Sequence, residues 1–418
     1  MKKVLSFIFL ITILITSFVN ALTVSADDSG INQSLAGTTI RVFNWGEYIS
    51  NGEDDSLDVI AEFEKETGIN VEYITYANNE ELYASMENGG ITYDVIVPSD
   101  YMFERLLAEG YLQSINYDNI PNYKYIADKY KGIFEFDSED EYSVPYTVGM
   151  VGVIYNTDIV DKEPNNWDIL WDEDYQGEIL MFDNPRDAFA IAQFKVGISI
   201  NSHDAQEWEL AAEDLKAQKK VLKRYVNDEI FDIMEAGNAA VAPYYAGDFL
   251  TMKAENDALE FFYPRNDEGK LITNQFIDVM CIPKSSTNQA AAEMFINYML
   301  RPDIALANAE YICYASPNTE VVGHEDYSYS KENDPYSYAV LYPDEFADFD
   351  KDLMFRHLDP NILNIMNDQW AFTKAYGVNA VTIHVVSGII VLVLAVLVVI
   401  KLRNKKVRNI GTDYYNLK

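Results

Sequence analysis

Residue types that build catalytic and metal centres are scarce in this sequence. Its 418 residues include only two cysteines and four histidines, and the histidines are scattered along the chain. No zinc-site spacing, nucleophile elbow or phosphate-binding loop occurs. The adjacent acids Asp54 and Asp55 could suggest glycoside hydrolysis, but they are interpreted as a helix cap. These absences argue against an enzyme and predict neither a metal site nor another cofactor.

The two cysteines, Cys281 and Cys313, both lie inside apolar stretches. The sequence is therefore equally compatible with buried free thiols and with a disulfide. Because neither cysteine is near the start of the chain, no N-terminal lipid anchor is expected.

Basic residues are also few. The chain has 31 Lys and Arg against 67 Asp and Glu, a formal net charge of −36. The ends, 1–26 and 380–418, hold 8 of the basic residues and one acid, so residues 27–379 have 23 basic and 66 acidic groups, a net charge of −43. Such a surface repels nucleic acid and attracts polyvalent cations. An acidic surface that only confers solubility is the alternative.

Two apolar runs lie at the ends of the chain. Residues 1–26 predict a signal peptide, with an uncleaved anchor as the alternative, and 27–37 a short linker. Residues 380–400 carry no charge and would extend over about 30 Å as a helix, the thickness of a bilayer core. We therefore expect a transmembrane helix there rather than a buried one. The basic residues of 401–418 predict a cytoplasmic tail and an extracytoplasmic main part.

Strand and helix patterns alternate from residue 38 onwards. Strands are predicted near 39–43, 69–76 and 93–97, with helices at 55–68 and 79–88 between them. This order is typical of a parallel sheet covered by helices. Ligands of such sheets bind beyond the carboxyl ends of the strands.

Two segments at those strand ends, 44–48 and 98–101, are rich in aromatic and acidic residues, which indicates a binding cleft. The alternation resumes after residue 145 without any internal repeat. The stretch 325–343, rich in Tyr, Ser and Asp, predicts a surface loop.

Seven short blocks occur in order along the chain, at 43–48, 93–99, 142–146, 246–248, 277–278, 300–303 and 314–318. Through them, residues 38–372 resemble the spermidine/putrescine-binding proteins of bacterial polyamine ABC importers. The resemblance implies an α/β, two-lobed, periplasmic-binding-protein-like fold (type II), whose lobes close like a hinged trap. We expect lobe 1 in 38–144 and 279–320 and lobe 2 in 145–278 and 321–376.

The resemblance also implies an acidic, aromatic-lined cleft between the lobes that captures a polyamine, and permease subunits as partners. Each ammonium group needs a carboxylate, and aromatic faces cover the methylenes and attract the cations. The residues that the resemblance assigns to ligand binding are Trp45, Glu47, Tyr48, Ser99, Tyr101, Asp187, Tyr245, Asp248, Phe276, Asp278 and Tyr314.

Asp278 is the hardest of these residues to explain without a ligand. It lies between Ile277 and Val279 in an apolar strand, where an unpaired carboxylate would be costly. A cationic ligand supplies the missing partner.

Some positions depart from the family pattern. Tyr245 stands where many relatives have Trp, Asn184 replaces an acid of spermidine-type sites, and Phe276 is typical of putrescine-preferring members. One fewer acid favours putrescine slightly. The alternatives are the same trap for thiamine, iron or a sugar, and a surface receptor or adhesin without a transport role.

Overall fold

Strands and helices of the chain are divided between two α/β units. The computed structural model describes residues 33–347 and 349–377. The first unit contains 33–148 and 276–347, and the second contains 149–275 and 349–377. The junctions lie within a few residues of the predicted lobe boundaries at 144 and 278. In contrast, 321–347, which was expected in lobe 2, belongs to the first unit.

The secondary structure follows the alternation expected from the sequence. The strands are β1 (Thr39–Trp45), β2 (Asn70–Tyr76), β3 (Val95–Ile96), β4 (Val144–Asn156), β5 (Ile179–Phe182), β6 (Leu222–Val226), β7 (Val241–Tyr245), β8 (Leu259–Phe262) and β9 (Gln275–Met280). The helices are α1 (Val59–Thr67), α2 (Asn79–Asn88), α3 (Asp100–Ala108), α4 (Pro185–Val196), α5 (Ala205–Gln218), α6 (Glu229–Glu235), α7 (Ala246–Glu255), α8 (Gln289–Met299), α9 (Pro302–Ile312), α10 (Thr319–Val322), α11 (Pro335–Leu341) and α12 (Pro360–Ala375).

In the first unit, β1 is the central strand of a parallel sheet with the order β2-β1-β3. Helix α1 begins after Asp58, whose side chain accepts a hydrogen bond from the backbone of Ala61, and it ends at Gly68 with φ 70°. The cap is therefore Asp58, and the interpretation of Asp54 and Asp55 as the cap is wrong. Because β1 and β3 are parallel, the segments that follow them leave the same edge of the sheet.

Strand β9 joins this edge through two antiparallel bridges. Ile96 pairs with Cys281, and Ser99 pairs with Asp278. These bridges fix the register of β9 against the segment between β3 and α3. As a result, Asp278 lies next to the loop residues that follow the parallel strands.

In the second unit, the sheet has the order β6-β5-β7-β4-β8, and β9 also pairs with β4. Strand β5 is parallel to β6 and β7, whereas β4 is antiparallel to β7 and β8. Helices α4, α5 and α12 pack through aromatic rings: Phe189 lies 5.3 Å from Trp208 and 6.3 Å from Trp370. This packing supports the start of α4, which carries Asp187.

At Gly152, in the second unit, the backbone lies so close to a neighbouring side chain that a larger residue should lower stability. A Cβ atom at this position would come within 2.1 Å of the Phe261 ring, which stacks on Phe249 at 5.0 Å. We expect Gly152→Ala to lower the free energy of unfolding by about 1–3 kcal/mol through overpacking. Urea denaturation measures this loss. Gly90→Ala, where no atom lies within 4 Å of the added methyl group, is the control, and equal effects would contradict the explanation.

The prediction of a surface loop at 325–343 is confirmed only in part: residues 325–334 form turns, many of them exposed, but the stretch is not a loop throughout. It contains helix α11, whose first turn is capped by Asp334, and Tyr327, which is fully buried against Ala305, Ala309 and Val321. The Tyr327 ring packs on apolar side chains, and its hydroxyl lies 3.2 Å from the Tyr342 hydroxyl, within hydrogen-bond distance. A tyrosine-rich segment can therefore form core despite its polar composition.

The prediction of a transmembrane helix is contradicted and is dropped from the fold class. Within residues 33–347 and 349–377, no helix has the length and apolar character needed to cross a membrane. Helix α12, the last one described, has 16 residues, and its length of about 24 Å is less than a bilayer core. The segment predicted to span, 380–400, lies outside the described residues, as do the predicted signal peptide 1–26 and tail 401–418.

Both cysteines are buried and neither forms a disulfide, so of the two alternatives left by the sequence the disulfide is excluded.

Candidate functional site

Asp278 is the centre of a buried polar cluster in the first unit. Its side chain is 4% exposed. The Tyr48 hydroxyl donates to Asp278 Oδ2 at 2.7 Å and lies 2.5 Å from Thr147 Oγ1, which is itself 3.4 Å from Oδ2. Two hydroxyl groups from distant parts of the chain therefore face one carboxylate oxygen.

The second carboxylate oxygen of Asp278 has a different environment. Oδ1 is buried and makes no hydrogen bond within the described residues. Burial raises the pKa of Asp278 from 3.8 to about 6, and the nearby hydroxyls of Tyr48, Ser99 and Thr147 limit the rise. The Ser99 hydroxyl is near the carboxylate but makes no hydrogen bond to Oδ1. A buried carboxylate oxygen without a donor is costly, and a cationic donor would remove that cost.

Aromatic rings surround the cluster. The Tyr48 ring makes edge contacts with Tyr146 at 5.6 Å and with Tyr314 at 5.3 Å, and Phe276 lies 6.3 Å from Tyr314. The Tyr146 hydroxyl donates to the Tyr48 backbone oxygen at 2.6 Å. These contacts hold Tyr48 in place and provide ring faces that could cover methylene groups.

Trp45 lies next to the Asp278 cluster. Its indole nitrogen donates to the backbone oxygen of Val97 at 2.9 Å, and its ring packs on Tyr76 at 4.8 Å. The Tyr76 hydroxyl donates to the same Val97 oxygen at 2.6 Å, two residues before Ser99, which pairs with Asp278. Trp45 is half-buried, so part of its ring stays accessible.

Glu47 and Tyr101 each make a hydrogen bond to a residue outside the cluster. The exposed Glu47 accepts from the Tyr311 hydroxyl at 3.4 Å, and Tyr101 donates to Glu80 at 3.2 Å. Glu47 has φ 51°, a left-handed conformation that is uncommon for a residue other than glycine. The structure thus brings Tyr48, Ser99, Phe276, Asp278 and Tyr314 together, with Trp45 adjacent, and does not bring Glu47 into this cluster.

The second unit has its own buried carboxylate, Asp187, which is 5% exposed in the first turn of α4. Its Oδ2 accepts from Asn184 Nδ2 at 2.7 Å and from the Tyr245 hydroxyl at 3.1 Å. The Tyr245 ring lies 5.4 Å from Phe182 and 5.1 Å from Tyr244. The unit therefore combines an acceptor with aromatic rings, as the first unit does.

Asp248 lies near the same rings, in the first turn of α7. Helix α7 begins directly after Tyr245, the last residue of β7, and the Tyr245 hydroxyl donates to Asp187. The second unit thus places Asp187, Tyr245 and Asp248 in one neighbourhood.

Sequence reasoning missed Thr147, Tyr146 and Tyr76. Tyr146 was part of a family block, but none of the three was assigned a role. Thr147 is separated from Tyr48 by 99 positions, so no local pattern could have paired them. Within the described parts of the chain, no group of three His, Cys, Asp or Glu side chains is placed to hold a metal ion.

A family model for bacterial extracellular solute-binding proteins matches residues 58–335. The chain belongs to this family.

Known solute-binding proteins with similar sequences include the spermidine/putrescine-binding periplasmic protein of Salmonella typhimurium. It is 32% identical over 282 residues, which cover 67% of this chain and 78% of that protein. The putrescine-binding periplasmic protein PotF of Escherichia coli is 29% identical over 301 residues, with coverage of 67% and 78%.

Among solved structures, this solute-binding protein is similar to the spermidine/putrescine ABC transporter substrate-binding protein of Streptococcus pneumoniae. The two are 30% identical with a TM-score of 0.65, over 81% of this chain and 99% of that one. The periplasmic-binding-protein-like α/β part of the predicted fold class fits this similarity.

Proposed function

We propose that this solute-binding protein captures a linear polyamine, putrescine or spermidine, for an ABC importer outside the cytoplasm. The observation that carries the proposal is the buried Asp278 carboxylate, whose Oδ1 has no donor within the described residues. A ligand ammonium would supply both the missing hydrogen bond and the counter-charge. The names of the relatives from Salmonella typhimurium and Escherichia coli support the same ligand class.

The surroundings of Asp278 favour an alkyl ammonium over an anion or a sugar. Tyr48, Tyr314 and Phe276 offer rings, which suit methylene groups and attract cations. An anion would be repelled by Asp278, and a sugar would leave the charge of the carboxylate uncompensated.

Asp187 is proposed as a second ammonium acceptor, contributed by the second unit. Its contacts with Asn184 and Tyr245 hold the carboxylate in a defined orientation. Two carboxylates match the two charged ends of putrescine. Since Asn184 is an amide and adds no third charge, we propose that the diamine binds at least as well as spermidine. Trp45, Ser99, Tyr101 and Asp248 remain proposed contributors, whereas Glu47 is exposed and accepts a hydrogen bond from Tyr311, outside the Asp278 cluster.

Isothermal titration of the purified protein tests this function. Putrescine, spermidine, spermine and thiamine are titrated, with two matched control ligands: butylamine, which has one ammonium group, and 1,4-butanediol, which has none. We expect saturable heat with putrescine, weaker binding of butylamine and none of the diol. Binding of a sugar or an anion without any polyamine heat would refute the proposal.

A further inference from the structure

We infer that Thr147 is a positioning residue: its hydroxyl directs the Tyr48 hydroxyl towards Asp278, and so prepares that carboxylate for a ligand cation. The inference rests on the proposed function and deepens it. No family block assigns Thr147 a role. It lies in β4, within the part of that strand that belongs to the first unit, and it is 2% exposed.

The direction of the hydrogen bonds follows from the number of protons. The Tyr48 hydroxyl lies 2.7 Å from Asp278 Oδ2 and 2.5 Å from Thr147 Oγ1. A phenol has one hydrogen, and an ionised carboxylate can only accept. Tyr48 therefore donates to Asp278, and the Thr147 hydroxyl donates to Tyr48. The chain of donors runs from Thr147 through Tyr48 to Asp278.

These hydrogen bonds determine which oxygen of Asp278 is left for the ligand. Tyr48 donates to Oδ2 of Asp278 at 2.7 Å, and Thr147, whose one hydrogen goes to Tyr48, lies 3.4 Å from the same oxygen, whereas Oδ1 has no donor within the described residues. The orientation thus leaves Oδ1 for an ammonium group. Since Thr147 is buried, solvent does not readily replace its hydroxyl.

The titratable groups that face Asp278 come from three elements: Tyr48 after β1, Tyr76 in β2 and Tyr146 in β4. Burial raises the pKa of each phenol well above its ordinary value, so all three stay neutral near pH 7. Ser99, which bridges Asp278 from the segment before α3, does not titrate. Of these groups, only the Asp278 carboxyl changes charge near neutral pH, and its protonation removes the charge that attracts the ligand.

Thr147→Val tests the inference, because it keeps the side-chain shape and removes the hydroxyl. We expect putrescine binding at pH 7 to weaken by about 3- to 10-fold, the effect of one hydrogen bond. We also expect the pH at which binding is half lost to rise, because the carboxylate loses part of its stabilisation. Thr147→Ser, which restores a hydroxyl, should return both quantities to those of the unchanged protein.

Thr67→Val is the matched control, since Thr67 is also buried in the first unit, at 4% exposure, and donates to the Phe63 backbone. It should lower stability without moving the pH profile. Titration of the Asp278 carboxyl carbon by NMR, without ligand, tests the inference even if the polyamine proposal fails. An unchanged Asp278 pKa in Thr147→Val would overturn the inference, whereas a higher pKa that serine reverses would support it. Absence of polyamine heat in the unchanged protein would instead refute the proposed function.

Discussion

Replacement of Asp278 by asparagine is expected to weaken putrescine binding by about 100-fold or more. The substitution keeps the shape and removes the charge, and one partner of a desolvated charge pair contributes about 3–5 kcal/mol. The ligand ammonium would then lie among neutral groups, including Tyr48 and Thr147. Isothermal titration at pH 7 measures the loss.

The same variant should be at least as stable as the unchanged protein when no ligand is present. Burial holds the pKa of Asp278 at about 6, above its usual 3.8, so this group favours folding below pH 4 and loses that contribution as the pH rises through 6. At pH 7 the ionised carboxylate destabilises the fold by up to about 3 kcal/mol, and asparagine removes this cost.

Urea unfolding at pH 4.5 and pH 7 separates loss of binding from misfolding. The stability gain of Asp278→Asn should be larger at pH 7 than at pH 4.5. A variant that is less stable at both pH values would instead indicate a structural role. Asp118→Asn, at an exposed acid of the first unit, is the binding control. Equal losses of affinity in the two variants would remove Asp278 from the site.

The candidate site illustrates which contacts a sequence can reveal. Asp278 could be identified because a charged residue between Ile277 and Val279 conflicts with the apolar pattern of a buried strand. The hydrogen-bond partners of Asp278 could not be predicted, because Tyr48 is 230 positions away from it in the sequence and Thr147 is 131 positions away. Only the parallel sheet of the first unit and the register of β9 bring them together.

The fold shows a similar division. Strands β1 to β3 and the helices between them could be predicted because apolar periodicity and glycine stops are local signals, such as Gly68 after α1. The burial of Tyr327 could not be predicted, because a tyrosine is compatible with surface and core alike. Its place depends on the partners that tertiary packing supplies.

Replacement of Asp187, the buried carboxylate of the second unit, is expected to have the second large effect on ligand binding. We expect Asp187→Asn to weaken putrescine binding by about 10- to 100-fold, since a charge-assisted hydrogen bond to an ammonium becomes a neutral one. Asp187 also lies in the first turn of α4, where a negative charge stabilises the helix by about 0.3–1 kcal/mol. Titration calorimetry and urea unfolding at pH 7 measure the two effects.

Substitution of either carboxylate should therefore weaken binding, but the two substitutions should change the free energy of unfolding in opposite directions. Asp187→Asn should lose a little stability, and Asp278→Asn should gain it. Asp232→Asn, at an exposed acid in the first turn of α6, removes a comparable charge from a helix start. It should reproduce the small stability loss of Asp187→Asn without any loss of affinity. If it weakened binding as much as Asp187→Asn does, the effect at Asp187 would come from the overall negative charge of the protein and not from direct contact with the ligand.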